Sequence, residues 1–150
     1  MSLDTITDAL GKAQAFAGLD SEQLRLLAFS SERKTYTDGA VLYESGTEPE
    51  GAFVLVSGKL SVIDERGDAK PTSVEEPYST VGEMALILTR PRPTTVKADG
   101  SCDVIFVPRQ GYRKLLDAYP ELARAMANKL QSSLGQFLNA LEPTRKKIQE

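Results

Sequence analysis

Two oppositely charged side chains, Glu83 and Arg92, lie in one short segment that also contains glycine and proline. Gly82 permits a tight turn, and the chain after it can form little more than one helical turn before Pro91. The first amides of such a helix have no partner within it, so they can bind an anion. A guanidinium offers a planar fork for two phosphate oxygens, and a carboxylate can accept a hydrogen bond from a sugar hydroxyl. This combination describes a nucleotide with one buried phosphate.

The composition excludes several other kinds of chemistry. The 150 residues contain no histidine and one cysteine, which rules out Ser–His and Cys–His nucleophile pairs and leaves no expected metal site. A net charge of −3 lacks the basic footprint of a nucleic-acid partner. No apolar run approaches the roughly 18 residues of a membrane span, and the N-terminus lacks a signal peptide. We therefore expect a cytoplasmic binding protein that is not an enzyme, with Cys102 as a buried structural thiol.

The sequence divides into three regions with different residue patterns, and this segment lies in the middle region. Residues 1–30 are predicted to form two helices, because apolar residues recur at helical spacing and Asp20 begins a capping box with Gln23. In residues 31–108, short β-prone stretches alternate with glycine and proline turns, which is typical of an antiparallel sandwich or barrel. The predicted strands are 34–37, 41–43, 52–56, 60–63, 94–98 and 102–107. Residues 65–78 are polar, and a hairpin with a long loop is one interpretation of them.

Helical spacing returns in residues 109–142, followed by a tail at 143–150. A short helix is predicted to end before Pro120, and a longer one to run from about 120 to 141. Its apolar stripe consists of Leu122, Met126, Leu130, Leu134, Phe137, Leu138 and Leu141. The stripe could pack on the protein's own barrel or form a homodimer, and its length favours the homodimer. With no internal repeat or linker, residues 1–150 are predicted to form a single domain.

The segment from Val81 to Ala98, here called the cassette segment, resembles the phosphate-binding cassette of cyclic-nucleotide-binding domains. That family includes catabolite-activator and Fnr-type regulators, regulatory subunits of cAMP-dependent protein kinase, and cyclic-nucleotide-gated channels. The matching residues are Gly82-Glu83-Met84-Ala85-Leu86, Pro91-Arg92 and Thr94-Thr95-Val96. The resemblance covers about residues 12–142. It implies a mainly β fold: an eight-stranded antiparallel jelly-roll with N-terminal helices, a short cassette helix and a long C-terminal helix.

The resemblance also implies a role for each matching residue. Arg92 would pair with the exocyclic phosphate oxygens, and Glu83 would accept the ribose 2′-hydroxyl. The backbone amides of Met84 and Ala85 would complete the phosphate cradle, and Gly82 would allow the chain to approach the sugar closely. The implied ligand is cAMP, and no metal is implied.

Pro93 departs from the family pattern, because this position usually carries alanine, serine or threonine. Proline has no N–H to donate to the phosphate. One lost charge-assisted hydrogen bond costs about 1.5–3 kcal/mol, or roughly ten- to a hundredfold in affinity. The Thr94 hydroxyl could compensate. The family associates threonine at the proline position with cGMP, so its absence favours cAMP over cGMP.

Several functions follow from these observations. The leading one is a sensor, in which cyclic-nucleotide binding shifts the C-terminal helix and a protein partner or an effector domain outside the chain detects the shift. In a dimer, Phe137, Leu138 or Leu141 would be candidates to cap the purine. The alternative is a degenerate domain that has lost its ligand and serves as a dimerisation or docking module, with Glu83 and Arg92 as a surface ion pair. A third possibility, a jelly-roll enzyme of the cupin type, is disfavoured because such sites are normally built from histidines and the sequence has none.

Overall fold

The computed structural model describes residues 2–64, 70–125 and 127–128. The chain divides into two compact units, residues 1–115 and residues 116–150. The first unit holds the helices and strands that precede residue 109 and most of the helix that follows. Within the described part of the chain, no helix combines the length and apolarity needed to cross a membrane.

The N-terminal helices form because each has a local cap and an apolar face. Asp20 and Gln23 form a reciprocal capping box, with the Gln23 amide donating to the Asp20 carboxylate at 2.8 Å. Leu10, Phe16 and Leu27 are buried. The elements are α1 (Leu3–Lys12), a 3-10 turn (Gln14–Phe16) and α2 (Ser21–Ser30), followed after the strands by α3 (Arg109–Ala118).

Eight antiparallel strands in the described residues form two four-stranded sheets. Their bounds are β1 (Glu32–Tyr36), β2 (Val41–Tyr43), β3 (Gly51–Ser57), β4 (Leu60–Ile63), β5 (Thr72–Val74), β6 (Thr80–Val81), β7 (Thr95–Ala98) and β8 (Cys102–Pro108). One sheet has the order β1-β8-β3-β6, and the other has the order β2-β7-β4-β5. Because β6 and β7 belong to different sheets, the cassette segment between them crosses from one sheet to the other.

The core lies between the two sheets. Strand β3 is almost wholly buried, since Ala52, Val54 and Leu55 are fully inaccessible to solvent. Its register with β8 pairs Val54 with Ile105, so both central strands contribute apolar side chains. Cys102 lies in this core as predicted, and burial raises the pKa of its thiol.

The predicted mainly β fold with eight antiparallel strands and N-terminal helices is confirmed. Two short strands, β5 and β6, are not among the predicted ones, whereas β2, also three residues long, is. Strand β5 pairs with β4 in the hairpin that residues 65–78 were thought able to form. In the second unit, residues 120–125 are helical, in agreement with a helix that begins near Pro120. Most of the predicted helix 120–141, including Phe137, Leu138 and Leu141, lies outside the described residues.

Candidate functional site

The cassette segment begins with a left-handed glycine. Strand β6 pairs with β3, with Val81 opposite Phe53, and the chain turns at Gly82 with φ 73° and ψ 23°. A 3-10 helix, Glu83–Leu86, follows directly. The sequence predicted about one helical turn here, and the structure contains one turn of the tighter 3-10 type. The turn leaves the side chains of Glu83 and Met84 exposed and buries those of Ala85 and Leu86.

The backbone of Arg92 is held by the loop that joins β2 to β3. Its amide donates to the carbonyl of Thr47 at 2.9 Å, and its carbonyl accepts from the amide of Gly46 at 2.7 Å. Gly46 has φ 84°, a left-handed conformation that favours glycine at this turn. The two hydrogen bonds fix the point from which the arginine side chain starts.

The guanidinium of Arg92 is buried beneath this loop, with only 5% of the residue exposed. Its Nη2 donates to the carbonyl of Gly51 at 2.6 Å, and its Cζ lies over the ring of Tyr43 at 4.0 Å from the centroid. The Nε atom is buried and has no hydrogen-bond acceptor among the described residues. Burial lowers the pKa of Arg92, whereas Tyr43 and the carboxylate of Glu50 act in the opposite direction.

Gly82 and Arg92 come together at one point in space. A methyl group placed on Gly82 would lie 2.5 Å from Nη1 of Arg92 and 3.3 Å from the ring of Tyr43. Such a distance is far below van der Waals contact, so only glycine leaves room for the guanidinium here. The structure therefore places two of the sequence-predicted site residues in direct contact.

A cavity of about 230 Å³ lies beside the guanidinium. Its lining is Leu42, Tyr43, Glu44, Thr47, Glu48, Glu50, Phe53, Arg92 and Phe106. The rings of Tyr43, Phe53 and Phe106 form one apolar wall, with centroid separations of 6.0 Å and 5.1 Å between successive rings. Small-molecule sites commonly occupy 300–1,000 Å³, so this volume suits part of a nucleotide better than a whole one.

In the described residues, no salt bridge joins the side chains of Glu83 and Arg92. The four salt bridges found there involve Asp4, Arg33, Lys59 and their partners. Glu83 instead acts on Tyr112 of α3, whose pKa rises to about 12, chiefly through burial and secondarily through the negative charge of Glu83. The exposed carboxylate is thus free of the structural ion pair that was one interpretation of the sequence.

Hydrogen bonds within and just after the 3-10 helix limit which backbone amides could bind a phosphate. The amide of Ala85 donates to the carbonyl of Gly82 at 3.0 Å, and the amides of Ile87 and Leu88 both donate to the carbonyl of Met84. A phosphate at this turn would therefore have to share the Ala85 hydrogen with Gly82. Met84 contributes an exposed side chain beside the turn, 37% accessible.

Pro93 and Thr94, the two residues after Arg92, have different environments. Pro93 is exposed, and its carbonyl accepts a hydrogen bond from Ser45 Oγ at 3.5 Å. Thr94 is hydrogen-bonded to the phenol of Tyr43. Burial raises the pKa of Tyr43, and the Thr94 hydrogen bond and the charge of Arg92 oppose that rise. The hydroxyl that could compensate for the missing amide of Pro93 is thus directed to Tyr43.

Sequence reasoning missed Tyr43 and Gly51 as parts of this site. Tyr43 has no sequence signal beyond its place in the predicted strand 41–43, and in the structure it packs on Phe53. Its contact with Arg92 arises because β2 pairs with β7 while the cassette segment leads into β7, a relation that no local spacing encodes. Gly51 contributes a backbone carbonyl, which carries no side-chain signal. Among the described residues, no group of three or more histidine, cysteine, aspartate or glutamate side chains could hold a metal ion.

Comparison with known proteins gives consistent matches. Residues 33–119 match the cyclic nucleotide-binding domain family. The chain is similar to the cAMP-dependent protein kinase regulatory subunit of Dictyostelium discoideum, at 27% identity over 135 residues, which are 87% of the chain and 40% of the subunit. It spans less than half the length of the curated relatives it matches.

Two solved structures are similar along most of the chain. One is a cyclic nucleotide-binding-like protein from Brucella abortus, with 34% identity and a TM-score of 0.64, covering 76% of this chain and 99% of that one. The other is the sensor domain of the transcriptional regulator DNR from Pseudomonas aeruginosa, with 22% identity and a TM-score of 0.75, covering 91% and 93%. The second likeness concerns the fold alone.

Proposed function

The chain belongs to the cyclic nucleotide-binding domain family, and we propose that it is a sensor that binds cAMP beside Arg92 and catalyses no reaction. Regulatory neighbours of this kind include the Dictyostelium kinase subunit, whose name specifies cAMP. The proposal includes a cytoplasmic location and the transmission of binding through the C-terminal helix to a protein partner or an effector domain.

The observation that carries the proposal is the buried, incompletely bonded guanidinium of Arg92. A charged group removed from water is strongly destabilising unless hydrogen bonds and opposite charge compensate for the lost hydration. Here Nε has no acceptor among the described residues, and the group lies against the cavity. A cyclic phosphate carries one negative charge and two exocyclic oxygens, which match the donors of a guanidinium.

The other cassette residues surround this point in the proposal. The exposed carboxylate of Glu83 accepts the ribose 2′-hydroxyl, and the amides of Met84 and Ala85 face the phosphate. Gly82 leaves room for both the guanidinium and the sugar. Pro93 lacks an amide hydrogen and the hydroxyl that favours cGMP, so cAMP is the proposed ligand. Thr94, whose hydroxyl could compensate for the missing amide of Pro93, completes the proposed ligand-binding residues.

Thermal unfolding with millimolar cAMP or cGMP tests the proposal. A ligand at a hundred times its dissociation constant stabilises by about 2.7 kcal/mol. For a domain of this size, that corresponds to a rise of about 5–11 °C in melting temperature. We expect cAMP to give the larger rise and Arg92→Ala to abolish it. The Arg90→Ala variant is the matched control, because Arg90 is an exposed arginine in the same segment.

The alternative function, a ligand-free dimerisation or docking module, makes the opposite prediction. Two observations favour it: Pro93 cannot donate a hydrogen bond, and the Ala85 amide already has an acceptor in Gly82. If neither nucleotide raises the melting temperature of the unmodified protein, the sensor proposal is wrong and the alternative stands.

A further inference from the structure

Tyr43 lies beside Arg92, Thr94 and Gly82, although its strand is far from the cassette segment in sequence. The Cζ of Arg92 is 4.0 Å from the centroid of its ring. Its hydroxyl is bonded to Thr94, and its ring edge approaches the position of a methyl group at Gly82 to 3.3 Å. No other ring in the described residues has a guanidinium over its face.

The ring is itself held from two sides. On one side it packs against Phe53, a core residue of β3 that is 4% exposed. On the other, the backbone of Tyr43 pairs with Val96 of β7, so β7 fixes the position of the Tyr43 backbone. The position of the ring is therefore set by both sheets and does not depend on the position of the arginine side chain.

Arg92 has few other restraints at its tip. The guanidinium donates to the carbonyl of Gly51, its Nη1 lies close to Gly82, and its face lies over the ring of Tyr43. A cation over an aromatic face is attracted by the ring quadrupole, and the attraction is strongest where water is excluded, as it is here. The ring thus covers one face of the cation, and Arg92 is one of the residues that line the cavity.

From these contacts we propose that Tyr43 is the positioning residue of the site: its ring holds the Arg92 guanidinium against the cavity in the orientation that meets a phosphate. The inference rests on the proposed function for its ligand. It adds that the affinity for a cyclic nucleotide depends on the electron density of the ring at position 43 and only weakly on its hydroxyl.

The ligand-free protein provides the first test. In its NMR spectrum, the Arg92 Nε–H proton should be shifted upfield by the ring current of Tyr43, with the resonance assigned by its loss in Arg92→Lys. The upfield shift should persist in Tyr43→Phe and disappear in Tyr43→Leu. An Nε–H resonance at the same position in all three proteins overturns the inference, whether or not cAMP binds.

Calorimetric titration with cAMP provides the second test. Tyr43→Phe should bind within about threefold of the unmodified protein, and Tyr43→Leu about 5- to 30-fold more weakly, the loss expected for a desolvated cation–π contact. Phenylalanines carrying one, two and three fluorines at position 43 should weaken binding stepwise, since fluorine withdraws electron density from the ring with little change in its size. Their melting temperatures without ligand should fall by only about 2–4 °C for each kcal/mol of the contact that is lost, because the same contact is present in the free protein.

Fluorinated phenylalanine at Tyr36 is the matched control. This ring packs against Phe53 as Tyr43 does, with 6.5 Å between the centroids, but it is not one of the described residues that line the cavity. It should leave the affinity for cAMP unchanged. If the unmodified protein binds cAMP and the fluorine series at position 43 is flat, the inference fails and the proposed function survives. If the unmodified protein does not bind cAMP, the proposed function fails, and the NMR shift alone decides whether Tyr43 holds Arg92.

Discussion

Arg92 is held at both ends, by backbone hydrogen bonds to Gly46 and Thr47 and by the contacts of its guanidinium with Gly51 and Tyr43. Such a charge would be unfavourable in a merely structural position, because its Nε lacks an acceptor among the described residues. A ligand that brings an anion to the cavity would remove this deficit. At the residue scale, this arrangement supports the proposal that Arg92 binds a phosphate.

Gly82→Ala should weaken cAMP binding by more than tenfold. An alanine at φ 73° costs about 1–2 kcal/mol of backbone strain, and its methyl group would also collide with Nη1 of Arg92. Gly39→Ala is the control, because Gly39 has φ 83° and nothing within 4 Å of the added methyl group. Both variants should unfold at lower temperature, but only Gly82→Ala should lose affinity in a calorimetric titration. Equal affinities would show that the close approach of Gly82 to Arg92 has no role in binding.

Pro93→Ala should strengthen cAMP binding by roughly ten- to a hundredfold, since it restores an N–H that can donate to the phosphate. The carbonyl contact with Ser45 does not depend on the proline ring and should persist. Pro91→Ala, a change at an exposed proline in the same loop, should leave the affinity within a fewfold. Unchanged binding in Pro93→Ala would mean that the phosphate never approaches the amide of this residue.

At the scale of elements, the cassette segment is placed by the sheets on either side of it. It leaves one sheet through β6 and enters the other through β7, so its turn lies where the two sheets meet. The turn also interacts with the helices. Tyr112 of α3 packs against Phe16, with 6.2 Å between the ring centroids, and the negative charge of Glu83 raises the pKa of Tyr112. The site is thereby joined to elements at both ends of the first unit.

Tyr112 gives a prediction for pH dependence. Its pKa is about 12 in the folded protein against an ordinary value of 10, so folding keeps a proton that the unfolded chain releases. The protonated phenol therefore makes its full contribution to the free energy of unfolding below pH 10. As the pH rises from 10 to 12, the free energy of unfolding falls by about 2–3 kcal/mol because of this group. In Tyr112→Phe, denaturant unfolding should show a correspondingly smaller loss over that interval. An unchanged pH profile would contradict the buried phenol.

Glu83→Gln tests the link between the turn and α3. Removing this negative charge makes the tyrosinate form of Tyr112 less unfavourable, so its pKa should fall. Titration of the near-ultraviolet absorbance of tyrosinate measures the change, with Glu76→Gln, an exposed carboxylate outside the cassette segment, as the control. Identical titrations for both variants would mean that Glu83 does not act on Tyr112.

The sequence predicted the long strands and the three-residue β2, and it missed the two short strands β5 and β6. Strands β3 and β8 were predicted because their continuous apolar runs are bounded by turn residues. Strands β5 and β6 have only three and two residues, and pairing with their neighbours stabilises them more than any pattern of their own. Within the site, Gly82 and Arg92 could be found because they lie in one motif. Tyr43 could not, since its contact depends on the assembly of the sheets.

At the scale of the whole molecule, the two antiparallel sheets agree with the cyclic nucleotide-binding domain family to which the chain belongs. The predicted transmission through residues 120–141 and the homodimer remain proposals, because most of that segment lies outside the described residues. The buried charge beside the cavity supports the proposal that the first unit binds a ligand.

A crystal structure of the protein grown with saturating cAMP would show directly whether the nucleotide binds at Arg92. We expect a cyclic phosphate beside Tyr43, with an exocyclic oxygen about 2.7–3.1 Å from a nitrogen of Arg92 and the ribose 2′-hydroxyl bonded to Glu83. A nucleotide bound elsewhere, or a site without nucleotide in crystals grown at millimolar cAMP, would contradict it.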